Sequence, residues 1–326
     1  MSVFDGKQVL VTGGTGSFGK RFVARLLKDH KIKRVTIFSR DELKQSELAE
    51  KYKDEKRVRF LLGDIREQDR LQRAFHGIDV VIHAAALKQV PTLEYNPFEA
   101  VKTNIIGAEN IINAAIDQGV ERVVALSTDK AVNPVNLYGA TKLCMEKLFI
   151  SGNSYAGGFK TRFSAVRYGN VLGSRGSVYH VFRQRKASGE LPITDERMTR
   201  FWITLDQGID TVYFAAENMS GGEVFVPKIP SMKVVDFARA VAPECKIKNM
   251  GIRPGEKLHE VLLTEEEASR SVSAEKYFVI QPLARGWGYE QFTGGEPMSE
   301  SFRYASDTNT DWLTDEQMKI LTKDLG

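Results

Sequence analysis

Tyr138 and Lys142 stand four residues apart, so a helix through them presents both on one face. A phenol of ordinary pKa, about 10, is a poor base at neutral pH. A neighbouring ammonium favours the phenolate and makes it usable. Alone, such a pair is a common accident of helical sequences. Here it closes the run STDKAVNPVNLYGATK, Ser127–Lys142, in which a hydroxyl, a carboxyl and an amine (Thr128, Asp129, Lys130) come just before it. Together these groups form an acid–base set able to move protons at more than one atom of a small molecule. The plain alternative for Asp129 and Lys130 is a surface ion pair in a loop, which contributes little.

A second run, TGGTGSFG over Thr12–Gly19, spaces glycines at Gly13, Gly16 and Gly19. It follows an apolar strand and opens a helix. Gly13 permits the tight turn, Gly16 lets the backbone approach a pyrophosphate, and Gly19 lets helix and strand pack closely. The helix N-terminus then offers free N–H groups to phosphate. A glycine triplet by itself is weak, but at the first strand–helix junction it reads as a dinucleotide site formed by Gly13, Thr15, Gly16, Ser17, Phe18 and Gly19. The second strand ends Phe38-Ser39-Arg40-Asp41, with Lys44 a turn later. Ser39, Arg40 and Lys44 suit the extra phosphate of NADP, so NADP is favoured over NAD. Asp41 could instead cap a helix or serve NAD. Asp64 and Ile65, after the third strand, fit beside an adenine, and the small residues Ala84, Ala85 and Ala86, after the fourth, fit beside the cofactor. A cofactor bound in this way would put a positive nicotinamide ring near Tyr138.

These residues need a frame, and the chain supplies one. Strand patterns at Gln8–Thr12, Arg34–Phe38, Val58–Leu62, Asp79–His83, Arg122–Ser127 and Thr161–Tyr168 alternate with helical patterns at Gly16–Lys28, Asp41–Tyr52, Gln68–Phe75, Asn96–Gln118 and Tyr138–Ile150. This rhythm predicts an α/β fold: a Rossmann-type doubly wound parallel sheet covered on both faces. Residues 1–170 read as the NADP-binding domain. Residues 171–326 read mainly as a smaller C-terminal substrate-binding lobe and tail, with some segments returning to the first domain. Shorter segments follow at Gly222–Val226, Val234–Val241 and Glu256–Leu263, and the tail from Gln281 is expected to wrap over the surface.

Composition excludes several classes. The 326 residues carry 46 basic and 42 acidic side chains, a net charge of +4, with no basic stripe for nucleic acid. Two distant cysteines and five scattered histidines offer no metal-ligand spacing, so no metal is expected. No apolar run approaches the ~20 residues of a membrane helix. The first strand begins almost at once and leaves no room for a signal peptide, so a cytoplasmic location is expected. His83 reads as a buried, hydrogen-bonded strand-end histidine.

The glycine loop with Tyr138 and Lys142 resembles the extended short-chain dehydrogenase/reductase family. The nearer resemblance is to the inverting UDP-N-acetylglucosamine 4,6-dehydratases of pseudaminic acid biosynthesis. It is carried by FSRDELKQ (Phe38–Gln45), GDIRE (Gly63–Glu67), HAAALKQVP (His83–Pro91), STDKAVNPVNLYGATK, RYGNVLGSRGSV (Arg167–Val178) and RPGEKLHE (Arg253–Glu260). Retaining relatives typically carry Met where this chain has Tyr138, and long relatives carry membrane helices ahead of the catalytic domain, which are not expected here because the sequence opens directly on the first strand. The resemblance implies catalytic roles for Thr128, Asp129, Lys130, Tyr138 and Lys142. Tyr138 would take the sugar 4-hydroxyl proton as hydride passes from C4 to NADP+. Lys130 would take the C5 proton and Asp129 would protonate the departing 6-hydroxyl. Thr128 would bond the 4-oxygen. Return of hydride to C6 and of a proton to C5 from the opposite face would give a 4-keto-6-deoxy sugar of the L-arabino series. A homo-oligomer is also implied.

For the UDP-sugar, the candidates are Arg175 and Arg253 for the pyrophosphate, Asn170 after the sixth strand, and Lys88, Ser177, Val178, Thr199 and Glu256. Three other readings stay open: an enzyme that releases the 5,6-ene, a 4-epimerase or reductase of the same fold, and a non-catalytic dinucleotide-sensing scaffold. An epimerase has no use for the Asp129–Lys130 pair, and a scaffold has none for Tyr138.

Overall fold

The computed structural model describes residues 2–283, 291–323 and 325. Residues 284–290, 324 and 326 of the tail expected to wrap over the surface lie outside the described residues.

The first half runs β1 (Gln8–Thr12), α1 (Ser17–Asp29), β2 (Arg34–Ser39), α2 (Glu42–Lys51), β3 (Val58–Leu62), α3 (Gln68–Phe75) and β4 (Val80–His83). Then come α4 (Val90–Tyr95), α5 (Pro97–Val101), a π-helical turn (Lys102–Ile106), α6 (Gly107–Asp117), β5 (Arg122–Leu126), a 3-10 turn (Asp129–Ala131), α7 (Leu137–Ala156) and β6 (Arg162–Val166). The second half adds β7 (Asn170–Val171), α8 (Val178–Lys186), β8 (Glu190–Ile193), β9 (Thr199–Ile203), α9 (Leu205–Asn218), β10 (Val224–Pro227), β11 (Ser231–Lys233) and α10 (Val234–Val241). It ends with β12 (Lys246–Asn249), β13 (Val261–Leu263), α11 (Glu265–Ala268), β14 (Ser271–Ser273), β15 (Tyr277–Ile280), β16 (Glu296–Pro297), β17 (Tyr304–Ala305) and α12 (Asp315–Thr322).

The main sheet has the order β16-β14-β15-β10-β6-β5-β4-β1-β2-β3. From the β3 edge inward it reads 3-2-1-4-5-6, the doubly wound order, and those strands pair in parallel. Val9, Leu10 and Val11 of β1 are fully buried, as strands covered on both faces must be. The second half returns to this sheet: β10 pairs β6 in parallel and β15 pairs β10 antiparallel. A smaller core around Phe182, Trp202 and Phe237 joins α8, β9 and α10 outside the sheet. The described tail serves both parts: β16 joins the edge of the main sheet, Tyr304 packs in the main core and bonds the Ile229 backbone, and Met318 of α12 is buried in the smaller core. Among the described residues, no helix is long and apolar enough to cross a membrane.

Two helices depart from the sequence reading. The stretch expected as one helix over Asn96–Gln118 is broken. It begins where expected, with Asn96 at the cap and Pro97 in the first turn, where its missing N–H costs nothing. A π turn then interrupts the helix, and its Asn104 side chain bonds both the N–H and the C=O of Leu87 at 2.9 Å and Thr141 at 3.0 Å. The helix expected to end at Ile150 continues to Ala156, because buried Asn153 ties its last turn to the Phe163 backbone and Gly157 ends it at a φ of +53°.

Candidate active site

The carboxyl ends of β1 and β4 part at the switch point of the sheet, and a cavity of about 620 Å³ opens there. Gly13 leaves β1 with a φ of +66°, and a Cβ on it would lie 2.8 Å from the Ala85 amide nitrogen. Only glycine lets the loop pass so close to the end of β4. Beyond it, α1 begins at Ser17 and points its unpaired N–H groups at the cavity.

Every expected dinucleotide residue lines this cavity. Gly13, Thr15, Gly16, Ser17, Phe18 and Gly19 form one side. Ser39, Arg40, Asp41 and Lys44 form the far end. Asp64, Ile65, Ala84, Ala85 and Ala86 close the floor. Arg40 lies 3.4 Å from Asp64, which is held chiefly by Arg66 at 2.7 Å, and Lys44 pairs with Asp41. A glycine cradle, a helix N-terminus and two cationic side chains at the far end suit a dinucleotide phosphate.

At the other end stand Thr128, Lys130, Tyr138 and Lys142. Their geometry depends on one close approach. Asn136 caps α7 by accepting from the Gly139 N–H at 2.8 Å, and Gly139 lies so near the Lys130 carbonyl that no Cβ fits between them. The 3-10 turn and the first turn of α7 are thereby locked together. Asp129 is fully buried behind this wall and does not line the cavity. Its Oδ1 accepts from the Thr128 hydroxyl at 2.8 Å and from the Lys130 ammonium at 2.9 Å, while its Oδ2 has no hydrogen-bond partner. A proton leaving Asp129 for the cavity therefore has Thr128 and Lys130 as its nearest outlets.

The electrostatics differ from the simple Tyr–Lys expectation. Burial pushes the Tyr138 phenol up to about 12, and the cation that pulls it back is Lys130, with a bond to Thr128 also helping. Lys142 does not bond Tyr138. Its ammonium donates to the Leu126 carbonyl at 2.6 Å and to the Met145 sulfur, and burial pushes it down to about 8 against the pull of Glu146. The physical reason is position: Lys142 is 3% exposed, with no ion-pair partner among the described residues, between the end of β5 and α7. Lys130, by contrast, stands between Asp129 and Glu260, which hold its pKa above the usual lysine value despite burial. His83 is buried, shares a hydrogen with Thr12 at 2.8 Å and stacks on Phe149; burial drives it down to about 3.

Behind α7 lies a charged brace. Arg167 of the β6 end donates to both oxygens of Glu146 at 3.1 and 2.6 Å and to both oxygens of Glu267 at 2.8 and 3.0 Å. Ser127 also donates to Glu146.

The expected sugar-nucleotide residues divide. Lys88, Asn170, Arg175 and Ser177 line the cavity, and the Asn170 Oδ1 and Ser177 Oγ are buried without partners there. Val178, Thr199, Arg253 and Glu256 do not line it. Val178 packs beside the second core, and Thr199 is buried against His259 and Ser306. Arg253 is exposed, with its N–H 3.4 Å from the Glu256 carboxylate. Trp202, Thr103 and Tyr168 line the cavity and were missed from sequence, because strand and helix interiors give no sign of a cavity there. Glu260 of the RPGEKLHE run was also passed over.

Residues 9–282 match the family model described as polysaccharide biosynthesis protein. The chain is 48% identical to a Campylobacter jejuni protein named UDP-N-acetylglucosamine 4,6-dehydratase (inverting), over 97% of each chain. It is 40% identical to a Rickettsia massiliae protein named UDP-glucose 4-epimerase, over 98% of this chain and 96% of that one. Among solved structures it is similar to Pen from Bacillus thuringiensis, with a TM-score of 0.92, 38% identity, and 99% and 100% of the two chains covered.

Proposed function

We propose, because this chain belongs to the polysaccharide biosynthesis protein family, that it is an inverting 4,6-dehydratase of UDP-N-acetylglucosamine. The observation that carries the reading is the Asp129–Lys130 pair at 2.9 Å in the wall beside Tyr138. Interconverting epimers at C4 needs Tyr138 but no such pair. Removing water from C5 and C6 needs both an acid and a base.

NADP is the proposed cofactor, held by the glycine loop and the α1 N-terminus, with Ser39, Arg40 and Lys44 around its extra phosphate. When bound, it supplies transient oxidation at C4 and the matching reduction at C6. Tyr138 accepts the 4-hydroxyl proton, and Thr128 orients the 4-oxygen. The ketone at C4 then acidifies C5–H. In the resting pair the ammonium of Lys130 gives its proton to Asp129 across their hydrogen bond, leaving an amine and a carboxylic acid. The amine takes the C5 proton, the C5–H electrons form the C5–C6 double bond, and the C6–O bond breaks as oxygen takes the Thr128 hydroxyl proton and leaves as water, while Thr128 regains a proton from buried Asp129. The pair returns to ammonium and carboxylate. A proton added to C5 from the opposite face gives the inverted 4-keto-6-deoxy sugar.

Arg175, Lys88, Asn170 and Ser177 are the proposed contacts to the UDP-sugar, and the segments of residues 171–326 outside the main sheet the part that covers it. We read the enzyme as a cytoplasmic homo-oligomer. Tyr95 and Phe98, 87% and 77% exposed on α4 and α5, fit that reading, and sedimentation tests it.

The deciding experiment is NMR of the product formed from UDP-N-acetylglucosamine in deuterated water. A saturated 4-keto-6-deoxy product with deuterium at an inverted C5, formed without net use of NADPH, is expected. A C4 epimer, or the 5,6-ene as sole product, overturns the assignment.

A further inference from the structure

The segment before β13 brings a second carboxylate to Lys130. Glu260 is 2% exposed and does not line the cavity. Its Oε1 lies 3.7 Å from the Lys130 nitrogen and 3.8 Å from Arg200 Nε, and its Oε2 lies 3.4 Å from the Lys257 nitrogen. That Oε2 makes no hydrogen bond. The backbone is held in place: the Glu260 N–H donates to the Ser306 Oγ at 2.9 Å, and the Ser306 N–H donates to the Glu260 carbonyl at 2.8 Å. Lys257 is committed elsewhere, donating to the Val132 carbonyl at 2.5 Å, and Arg200 donates to the carbonyls of Thr199, Leu258 and Lys257. The carboxylate is thus fixed, buried and under-used in hydrogen bonding, with Lys130 the cation it faces at the cavity wall.

We infer that Glu260 is a positioning residue for the dehydration, holding the Lys130 amine between two carboxylates and governing when that amine is free to take the C5 proton. The inference rests on the proposed dehydratase reading. A carboxylate beside an ammonium favours its charged form. Asp129 can exchange a proton with Lys130 across their hydrogen bond, with the ammonium form already favoured because a carboxylate is much the weaker base. Glu260 biases the exchange toward the ammonium, and so strengthens the amine as a base once it forms and stabilises the ammonium left after proton abstraction. The other charged or titratable groups facing Lys130 are Tyr138 of α7, Lys88 after β4 and Arg200 of β9; Lys257 reaches it only through Glu260.

The test uses the full-length enzyme and the purified 4-keto-6-deoxy product. Enzyme-catalysed exchange of the product's C5 proton with solvent deuterium is followed against pH, so that the proton step is read apart from turnover. In E260Q the rising limb of that exchange is expected to move down by about one pH unit or more, and in E260D to return most of the way. In K257M, which frees Glu260 of a competing cation, the limb is expected to move up. The ζ-nitrogen NMR signal of Lys130, assigned with K130M, should shift its titration in the same directions, and it can be read without turnover. Opposite shifts in E260Q and K257M are not produced by a merely loosened fold. Unmoved exchange limbs and Lys130 titrations in both variants, with wild-type enzyme still forming the keto product, would overturn the role of Glu260 alone. No keto product from wild-type enzyme would instead overturn the dehydratase reading.

Discussion

Lys142 and Lys130 sit at the same end of one cavity and live in opposite surroundings. Lys142 is packed against β5 and α7, bonded to a carbonyl and a sulfur, and pushed down to about 8. Lys130 keeps 27% of its side chain open and is gripped by the carboxylates of Asp129 and Glu260, which raise it. The difference fits the tasks proposed for them. A lysine with no carboxylate partner holds a modest charge near a phenol and a dinucleotide without being neutralised by a counter-ion. A lysine shared by two carboxylates can pass a proton to one of them and take another from the substrate.

The comparison can be broken most severely at Lys130. K130M should lower turnover by roughly 10³-fold and abolish C5 exchange of the product, since a positioned base contributes about 10²–10⁴. Retained C5 exchange would show the pair to be ornamental. Next in size is the brace behind Lys142. R167M leaves Glu146 and Glu267 buried without their cation and should destabilise the fold by ~3–5 kcal/mol in urea unfolding. G139A, which forces α7 away from the Lys130 carbonyl, should cost ~1–3 kcal/mol and lower kcat more than it changes KM. The pH profile sharpens the contrast further. Lys142 is charged below about 8 and neutral above it. If its charge supports Tyr138, kcat/KM should fall about tenfold per pH unit above that value, and K142R should remove the limb, since guanidinium stays charged. The smallest effect belongs to His83, in the dry region near Lys142. Its folded pKa of about 3 lies below the ordinary 6.5, so the unfolded chain binds the extra proton. Stability is therefore present above 6.5 and lost as pH falls toward 3, by ~1.4 kcal/mol per unit. Urea titrations of wild type and H83Q at pH 6.5 and 5.5 measure it.

Much of the frame was legible because its signals are local. The glycine loop, the six parallel strands and the Tyr138–Lys142 spacing each sit within a short run whose periodicity or composition declares them. Strand–helix alternation predicts a parallel sheet, but the order 3-2-1-4-5-6 was not legible in it, since the same alternation also builds 2-1-3-4-5. What stayed hidden depends on distant segments meeting. The RPGEKLHE run stood out, yet its outward Arg253 and Glu256 drew notice, while the inward Lys257 and Glu260 carry the contacts to Val132 and Lys130. A turn rich in Gly and Pro has no fixed period, so nothing in its letters tells inside from outside. The helix start at Asn96 and Pro97 was readable, whereas the π turn is set by what Asn104 meets across the fold. The burial of Asp129 was equally unreadable, because β13 and β17, which cover its turn, lie far along the chain.

The brace of Arg167 has a consequence for how the protein is made. Its two carboxylate partners are separated by more than a hundred positions, Glu146 on the catalytic helix and Glu267 at the start of α11. As the chain leaves the ribosome, the six parallel strands are complete once β6 has emerged, but Arg167 then has half its counter-charge, and the Lys130 wall lacks Glu260. The nascent sheet can gather its nucleotide pocket early, while the proton-moving end matures only after α11 docks. A chain halted short of that point would carry the dinucleotide cradle without a finished catalytic end.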